Sequence, residues 1–133
     1  MRKLLIVLFG LSLNSAYFMI FPETVRAETV EFYANRGEKK RANGDRKGAI
    51  KDFTKAINLH SKKPEFKDLY RISVVYYGRG LIRLNDTVKN YEKKNIWNNK
   101  DWYRACLDFK MSSKMGLRQA TKMDKKWCSD LDK

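Results

Sequence analysis

The sequence has 133 residues, and its 29 lysines and arginines outnumber 15 aspartates and glutamates, which gives a formal net charge of +14. With 43% hydrophobic and 13% aromatic residues, the chain is too apolar to be a disordered tail. Its single histidine and two cysteines are too few for most zinc modules, and its seven glycines and two prolines argue against a turn-rich β-sandwich. The length predicts one domain.

The N-terminal segment, residues 1–27, has the layout of a secretory signal peptide. Two basic residues precede the apolar run Leu4–Leu13, and small or aliphatic residues stand at the third and first positions before a cut after Ala27. We therefore expect this segment to direct export and to be removed.

Export changes the interpretation of the charge and of the cysteines. Removal of the segment leaves residues 28–133 with 26 basic and 14 acidic residues, a net charge of +12, in a periplasmic or secreted setting that we expect to be bacterial. Disulfides persist in such compartments. The alternative is an N-terminal membrane anchor, because Leu4–Phe21 is almost long enough to span a bilayer.

Beyond residue 27, apolar residues recur at steps of three and four, which is the spacing of helices that bury one face. We predict a first helix over about 28–43. We predict a second helix after Asp45, because Gly44 suits a left-handed turn and Asp45 suits an N-cap. No segment alternates apolar and polar residues convincingly, so we expect an all-α fold.

Three further helices are predicted. One starts near Pro64, a residue favoured in the first helical turn, and its inward stripe contains Phe66, Leu69, Tyr70, Ser73, Tyr76, Tyr77, Gly80, Leu81 and Leu84. The next helix ends at Gly116 and uses Trp102, Ala105, Cys106, Phe109 and Ser112. The last helix carries Leu117, Ala120, Met123, Trp127 and Cys128.

The first helix pair carries small and aromatic residues at defined positions, namely Tyr33, Arg36, Gly37, Ala49, Phe53 and Ala56. This pattern over residues 28–63, with 12 residues from Gly37 to Ala49, resembles the tetratricopeptide repeat. The resemblance implies an antiparallel pair whose small residues meet where the helices cross. Arg36 and Lys40 depart from the leucine and tyrosine usual in the family, and a generic helical hairpin is the alternative.

Residues 64–115 resemble a second repeat with an insertion. Its two halves match at Tyr76, Arg79, Gly80, Ala105, Phe109 and Ser112. Gly80 and Ala105 are 25 residues apart instead of 12, so 13 extra residues lie around 85–99. Either the third helix is longer, or Asn85 ends it and a short extra helix follows.

Residues 116–133 resemble the helix that caps such arrays. Two repeats are few for a stable array, because each repeat alone leaves an apolar face open. The insertion, the cap, a disulfide or self-association must compensate.

The predicted turn at Gly116 brings the two cysteines together. Cys106 lies 10 residues before Gly116 and Cys128 lies 12 after it, so helices that fold back there place both at similar heights. This geometry favours a disulfide between them. The alternative is a pair of reduced cysteines in the core.

The sequence offers no set of residues for catalysis. A nucleophilic site needs a nucleophile, a base and an orienting group in contact. The only histidine, His60, is expected to be solvated near a helix C-terminus. We therefore predict no enzyme activity, no cofactor and no metal site.

The resemblance implies a scaffold that binds a protein or peptide in a groove lined by the first helix of each repeat. The groove positions are Glu31, Ala34, Glu38, Arg41, Val74, Tyr77, Leu81 and Leu84. The packing positions are Tyr33, Gly37, Ala49, Phe53, Ala56, Tyr76, Gly80, Ala105 and Phe109. The apolar half of the groove either holds a hydrophobic partner segment or is filled by the insertion or the capping helix.

The basic residues have two interpretations. They cluster at the first helix turn and in the insertion, where Tyr91 and Trp97 accompany them: Lys39, Lys40, Arg41, Arg46, Lys47, Lys89, Lys93, Lys94 and Lys100. They form a solvated surface, or the chain is a cationic module that associates with an anionic envelope polymer, a membrane surface, an acidic partner or single-stranded nucleic acid. Export disfavours nucleic acid as the partner.

Overall fold

The computed structural model describes residues 28–94 and 99–132, which form five α-helices and two short 3-10 turns. The elements in chain order are α1 (Val30–Ala42), α2 (Arg46–Lys62), a 3-10 turn (Phe66–Asp68), α3 (Leu69–Lys94), α4 (Asn99–Lys114), α5 (Arg118–Trp127) and a second 3-10 turn (Ser129–Asp132). These residues contain no strand, so the all-α prediction is confirmed for them. The predicted signal segment, residues 1–27, lies outside the described residues.

Local hydrogen bonds account for the first two helix starts. Thr29 caps α1 because its hydroxyl accepts the N–H of Phe32 at 3.0 Å. Asp45 caps α2 because its carboxylate accepts the N–H of Gly48 at 2.8 Å, as predicted. Gly44 precedes α2 with φ +81° and confirms the predicted left-handed turn.

Consecutive helices run in opposite directions. Arg46 at the start of α2 forms an ion pair with Asp86 late in α3, whereas Thr54 lies within hydrogen-bond distance of Arg79 one to two turns earlier in α3. Likewise, Ser112 near the end of α4 donates to the carbonyl of Ser73 near the start of α3 at 2.7 Å. α3 therefore lies antiparallel to both α2 and α4.

The buried apolar residues form two clusters that meet along α3. The first joins α1, α2 and one side of α3, with Phe53, Ile57, Ile72, Val75 and Ile82 among its members. The second joins another side of α3 to α4 and the segment that follows α5, through Leu84, Ala105, Cys106, Phe109 and Cys128. α3 thus buries two faces, which is wider than the single stripe predicted from its sequence.

Residues 85–94, the described part of the predicted insertion, continue α3. This helix is continuous for 26 residues, about 39 Å at 1.5 Å per residue, and passes Asn85 without interruption. The alternative of a longer third helix is therefore confirmed. Its start differs from the prediction near Pro64, because a 3-10 turn precedes Leu69, the first α-helical residue.

A disulfide joins Cys106 of α4 to Cys128, which follows α5, with a Cα–Cα distance of 5.5 Å. Gly116 turns the chain between these helices with φ +89°. The predicted pairing is confirmed, and the disulfide fastens α5 to the rest of the bundle.

Within the described part of the chain, no helix combines the length and the apolar composition needed to cross a membrane.

Candidate binding surface on the inner helices

A buried carboxylate on α2 holds two cations of α1. Asp52 is almost fully buried and accepts two hydrogen bonds from Arg36, at 2.8 and 2.6 Å, and Lys40 lies 2.8 Å from the same carboxylate. The hydrogen bond from Arg36, and then that from Lys40, lowers the pKa of Asp52 against the opposing effect of burial. The carboxylate is therefore charged and serves to join α1 to α2.

The second helix pair contains the same arrangement. Asp108 on α4 is buried and accepts two hydrogen bonds from Arg79 on α3, at 3.0 and 2.7 Å. Arg83 donates to the same carboxylate at 2.7 Å. Arg79 also donates to the hydroxyl of Thr54 at 2.9 Å, so one arginine links α2, α3 and α4.

The two helix pairs are also alike in how closely they pack. A Cβ added to Gly37 would lie 2.7 Å from the Phe53 ring, and one added to Gly80 would lie 2.8 Å from the Phe109 ring. In each pair the arginine immediately precedes this glycine, and the aspartate immediately precedes this phenylalanine. The predicted packing residues are placed accordingly: Tyr76 is half-buried, and the buried ones are Tyr33, Gly37, Ala49, Phe53, Ala56, Gly80, Ala105 and Phe109.

Sequence reasoning missed Asp52 and Asp108. The signal was present, because an aspartate precedes a predicted core phenylalanine in both helix pairs, with an arginine before the facing glycine. Each carboxylate immediately precedes a residue of the predicted apolar stripe. Helical spacing alone places such a residue at the edge of the buried face and does not show that it is buried.

The predicted groove positions of α1 are mostly charged, and the charged ones form ion pairs. Glu31 is exposed and accepts a hydrogen bond from Arg71 of α3 at 3.3 Å. Glu38 and Arg41 are exposed and form an ion pair one helical turn apart. Ala34 is buried in the first cluster, which leaves its side chain no surface for a partner.

The predicted groove positions of α3 divide into a covered part and an open part. Leu84 is buried in the second cluster. Tyr77 and Leu81 pack against that cluster, as do Met123 and Trp127 of α5. This packing favours the alternative in which the chain itself fills the deep apolar part. Val74, one turn nearer the start of α3, is exposed.

The open part extends to residues that were predicted to be buried. Phe66 is 89% exposed and Tyr70 is 74% exposed, so their inclusion in the inward stripe of the third helix was wrong. The stripe fails here because α3 begins only at Leu69 and turns Leu69 and Ile72 inward instead. Phe66, Tyr70 and Val74 follow one another at four-residue steps, and we call them the inner apolar row.

Charged side chains border the inner apolar row. A shallow pocket of about 250 Å³ is lined by Lys67, Tyr70, Arg71 and Val74. A larger cleft of about 630 Å³ lies beside it, between the start of α1 and the turn before α3, and contains Glu31, Glu65 and Asp68. The surface therefore presents exposed apolar side chains between groups of both signs.

Two further predictions concern His60 and a metal site. His60 is buried, so the prediction that it is solvated was wrong; it faces inward from α2, and its Nδ1 has no hydrogen-bond partner. Among the described residues, no three His, Cys, Asp or Glu side chains are grouped so that they could hold a metal ion.

Comparison of the chain with protein-family models, with curated proteins and with solved structures found no match.

Proposed function

We propose that this protein is an exported, non-catalytic scaffold of the tetratricopeptide-repeat type, which binds a peptide or protein segment along the inner side of α1 and α3. The proposal combines a repeated helix-pair construction, a capping helix and an open apolar row.

The repeated construction supports the assignment to this type of scaffold. Both helix pairs cross at a glycine that a phenylalanine ring covers, and both hold a buried aspartate between two cations. α5 packs its residues into the second cluster, as a capping helix would. The disulfide supports export, because such bonds persist in oxidising compartments.

The observation that carries the binding function is the inner apolar row. Phe66, Tyr70 and Val74 are all exposed, and Val74 is itself one of the predicted groove positions of α3. Exposed aromatic and aliphatic residues grouped in this way are typical of interaction sites, whereas single exposed apolar residues are ordinary. A partner segment with apolar residues on one face would cover the row, and charged residues beside them would meet Lys67, Arg71 and Glu31.

A selection from a random peptide library, using the immobilised protein, tests this proposal. We expect enriched peptides to bind the wild type, and Tyr70→Glu or Val74→Glu to weaken their binding by about tenfold or more, as loss of a central interface residue does. Fluorescence anisotropy of a labelled enriched peptide measures the affinities. Circular dichroism establishes that each variant is folded.

The matched control is Leu107→Glu, which places the same charge on another exposed apolar residue, on α4. We expect this variant to bind the peptide as the wild type does. Equal binding by the Val74→Glu and wild-type proteins would exclude the inner apolar row as the site.

A further inference from the structure

A second exposed apolar row lies on α4. Tyr103, Leu107 and Met111 are 48%, 44% and 39% exposed and follow one another at four-residue steps. Ala105 and Phe109 of the same helix are fully buried against α3. The row therefore faces away from the core, and we call it the outer apolar row.

Basic residues flank the outer apolar row. Lys100, Arg104 and Lys114 are exposed on α4. The helix has two carboxylates, of which Asp101 lies 3.8 Å from Arg104 and Asp108 is buried between arginines. The exposed side of α4 is therefore positively charged around an apolar centre.

α2 carries a second set of exposed basic residues. Lys47, Lys51 and Lys55 are exposed at four-residue steps, and the only carboxylate of α2, Asp52, is buried toward α1. Lys55 forms an exposed ion pair with Glu28 at 3.6 Å. The outer side of α2 thus presents a row of lysines with no acidic residue of its own helix among them.

Both helices contact the same arginine of α3. Arg79 of α3 contacts Thr54 of α2 and Asp108 of α4, and both helices run antiparallel to α3, so they run in the same direction. Lys51 lies about one turn before Thr54, and Arg104 lies about one turn before Asp108. The basic residues of α2 and α4 therefore occupy the same level of the molecule.

We propose that one surface of α2 and α4 docks onto an anionic lipid bilayer. This α2–α4 surface consists of the lysine row of α2, the outer apolar row and the basic residues of α4. An apolar stripe flanked by lysines and arginines is the composition of helices that lie in the plane of a membrane interface. Tyr103, Leu107 and Met111 enter the headgroup boundary, and the flanking cations contact the anionic headgroups.

The outer apolar row favours a bilayer over a soluble polyanion or a second copy of this chain as the partner of this surface. A soluble polyanion would engage Lys47, Lys51 and Arg104 but would gain nothing from Leu107 or Met111. A second copy of this chain would bring two surfaces of the same charge together, which disfavours self-association here. The inner apolar row lies on another side of α3, so docking leaves the proposed peptide surface available.

Flotation with phospholipid vesicles tests the proposal. The protein is purified in the form that an expression host exports, and all variants carry the same N-terminus. We expect it to bind vesicles of phosphatidylcholine with phosphatidylglycerol and to bind vesicles of phosphatidylcholine alone much more weakly. Each lysine near an anionic surface contributes about fivefold to partitioning, equivalent to about 1 kcal/mol. Lys47→Gln with Lys51→Gln therefore weakens binding by about 10- to 30-fold.

The matched charge control is Lys39→Gln with Lys89→Gln, which removes two exposed lysines from α1 and α3. We expect this control to bind within about twofold of the wild type. The double variant Leu107→Gln, Met111→Gln removes two residues of the outer apolar row and should weaken vesicle binding. Its control is Tyr70→Gln, in the inner apolar row, which should leave vesicle binding unchanged. These outcomes together support the α2–α4 surface as the docking site.

Three results would overturn the proposal. The first is equal binding to neutral and anionic vesicles. The second is equal loss from the two lysine pairs, which would indicate a general charge effect without a defined surface. The third is an unchanged affinity in the Leu107→Gln, Met111→Gln protein together with tight binding of soluble polyphosphate, which would indicate a polyanion-binding surface instead.

Discussion

At the scale of single residues, Asp52 and Asp108 are the polar groups on which the packing depends most. Each is buried and each faces two cations, but the cations differ in their access to water. The side chains of Arg79 and Arg83 are 11% and 17% exposed, whereas those of Arg36 and Lys40 are 43% and 33% exposed. A lost carboxylate therefore leaves a more deeply buried charge at Asp108 than at Asp52.

We predict that Asp108→Asn destabilises the fold by about 3 to 5 kcal/mol, because it leaves two buried arginines without a counter-charge. Asp52→Asn should cost about 1 to 2 kcal/mol, because its partners can turn toward water. Urea unfolding monitored by circular dichroism measures both. Asp86→Asn, which breaks a more exposed pair with Arg46, is the control and should change stability by less than about 1 kcal/mol. Equal losses at positions 52 and 108 would contradict the argument from burial.

Asp52 also gives the fold an acid sensitivity with a defined sign. Arg36 and Lys40 lower its pKa in the folded state below the ordinary value of 3.8, so its contribution to stability is present above that value. The contribution is lost as the pH falls from about 3.8 through the lowered pKa. Melting temperatures measured across this range should fall less steeply for Asp52→Asn than for the wild type. Parallel curves would show that other carboxylates account for the acid sensitivity.

At the scale of helices, the close packing within each of the two helix pairs depends on a glycine, which has no side chain. Gly37 and Gly80 allow the rings of Phe53 and Phe109 to lie against the backbone of the facing helix. Glycine normally weakens a helix by about 1 kcal/mol relative to alanine. The close approach of each ring therefore explains why glycine is favourable at these two positions.

We expect Gly37→Ala and Gly80→Ala each to destabilise the protein by about 1 to 3 kcal/mol, because the new methyl group overlaps a buried ring that has little room to move. Thermal unfolding of the two variants measures the effect. The control is Asn35→Ala, at an exposed position of α1, where the higher helix propensity of alanine should leave stability unchanged or slightly raised. A gain in stability for Gly80→Ala would mean that the crossing adjusts.

The turn between α1 and α2 could be predicted from the sequence because local physics determines it, whereas the start and length of α3 could not. Gly44 and Asp45 are a helix stop and a helix start whatever lies around them. The Cys106–Cys128 pair followed from two helix lengths and one turn. The same local pattern also indicated that Phe53 and Phe109 are core residues.

Other features could not be predicted because they depend on which surfaces meet. Helical spacing placed Phe66 and Tyr70 on the stripe of α3, but only the tertiary structure determines that nothing in the described chain covers that end. His60 looked solvated for the same reason, since its face of α2 turned inward. The open part of the candidate site therefore depends on packing and could not be predicted. Its covered part, at Tyr77 and Leu81, could be predicted from the apolar pattern.

At the scale of the whole molecule, α5 helps to cover the second cluster and is held in place by a disulfide and by hydrogen bonds. It is a short helix held by the disulfide, by the Trp102 Nε1–H donated to the carbonyl of Trp127 at 3.1 Å, and by a hydrogen bond between Ser113 and Thr121 at 2.8 Å. Met123 and Trp127 of α5 pack against the second cluster, as do Tyr77 and Leu81 of α3. Release of α5 would therefore uncover apolar surface of the second cluster.

We predict that Cys106→Ser with Cys128→Ser costs about 3 kcal/mol of stability, as expected for a disulfide that closes a loop of this size. Hydrogen exchange should accelerate first in α5 and much less in α1 and α2, because the latter belong to the first cluster. Mass spectrometry of peptides after exchange measures this difference. Uniform acceleration along the chain would show instead that α5 unfolds together with the rest of the molecule.

The buried carboxylates also limit how descendants of this sequence can diverge. Replacement of Asp108 alone leaves Arg79 and Arg83 without a counter-charge, and replacement of Asp52 alone does the same to Arg36 and Lys40 at a smaller cost. Positions 36, 40 and 52 are expected to change together during evolution, and positions 79, 83 and 108 form a second set. Because the two sets stand in different helix pairs, one lineage can exchange its set for apolar residues while the other set is retained.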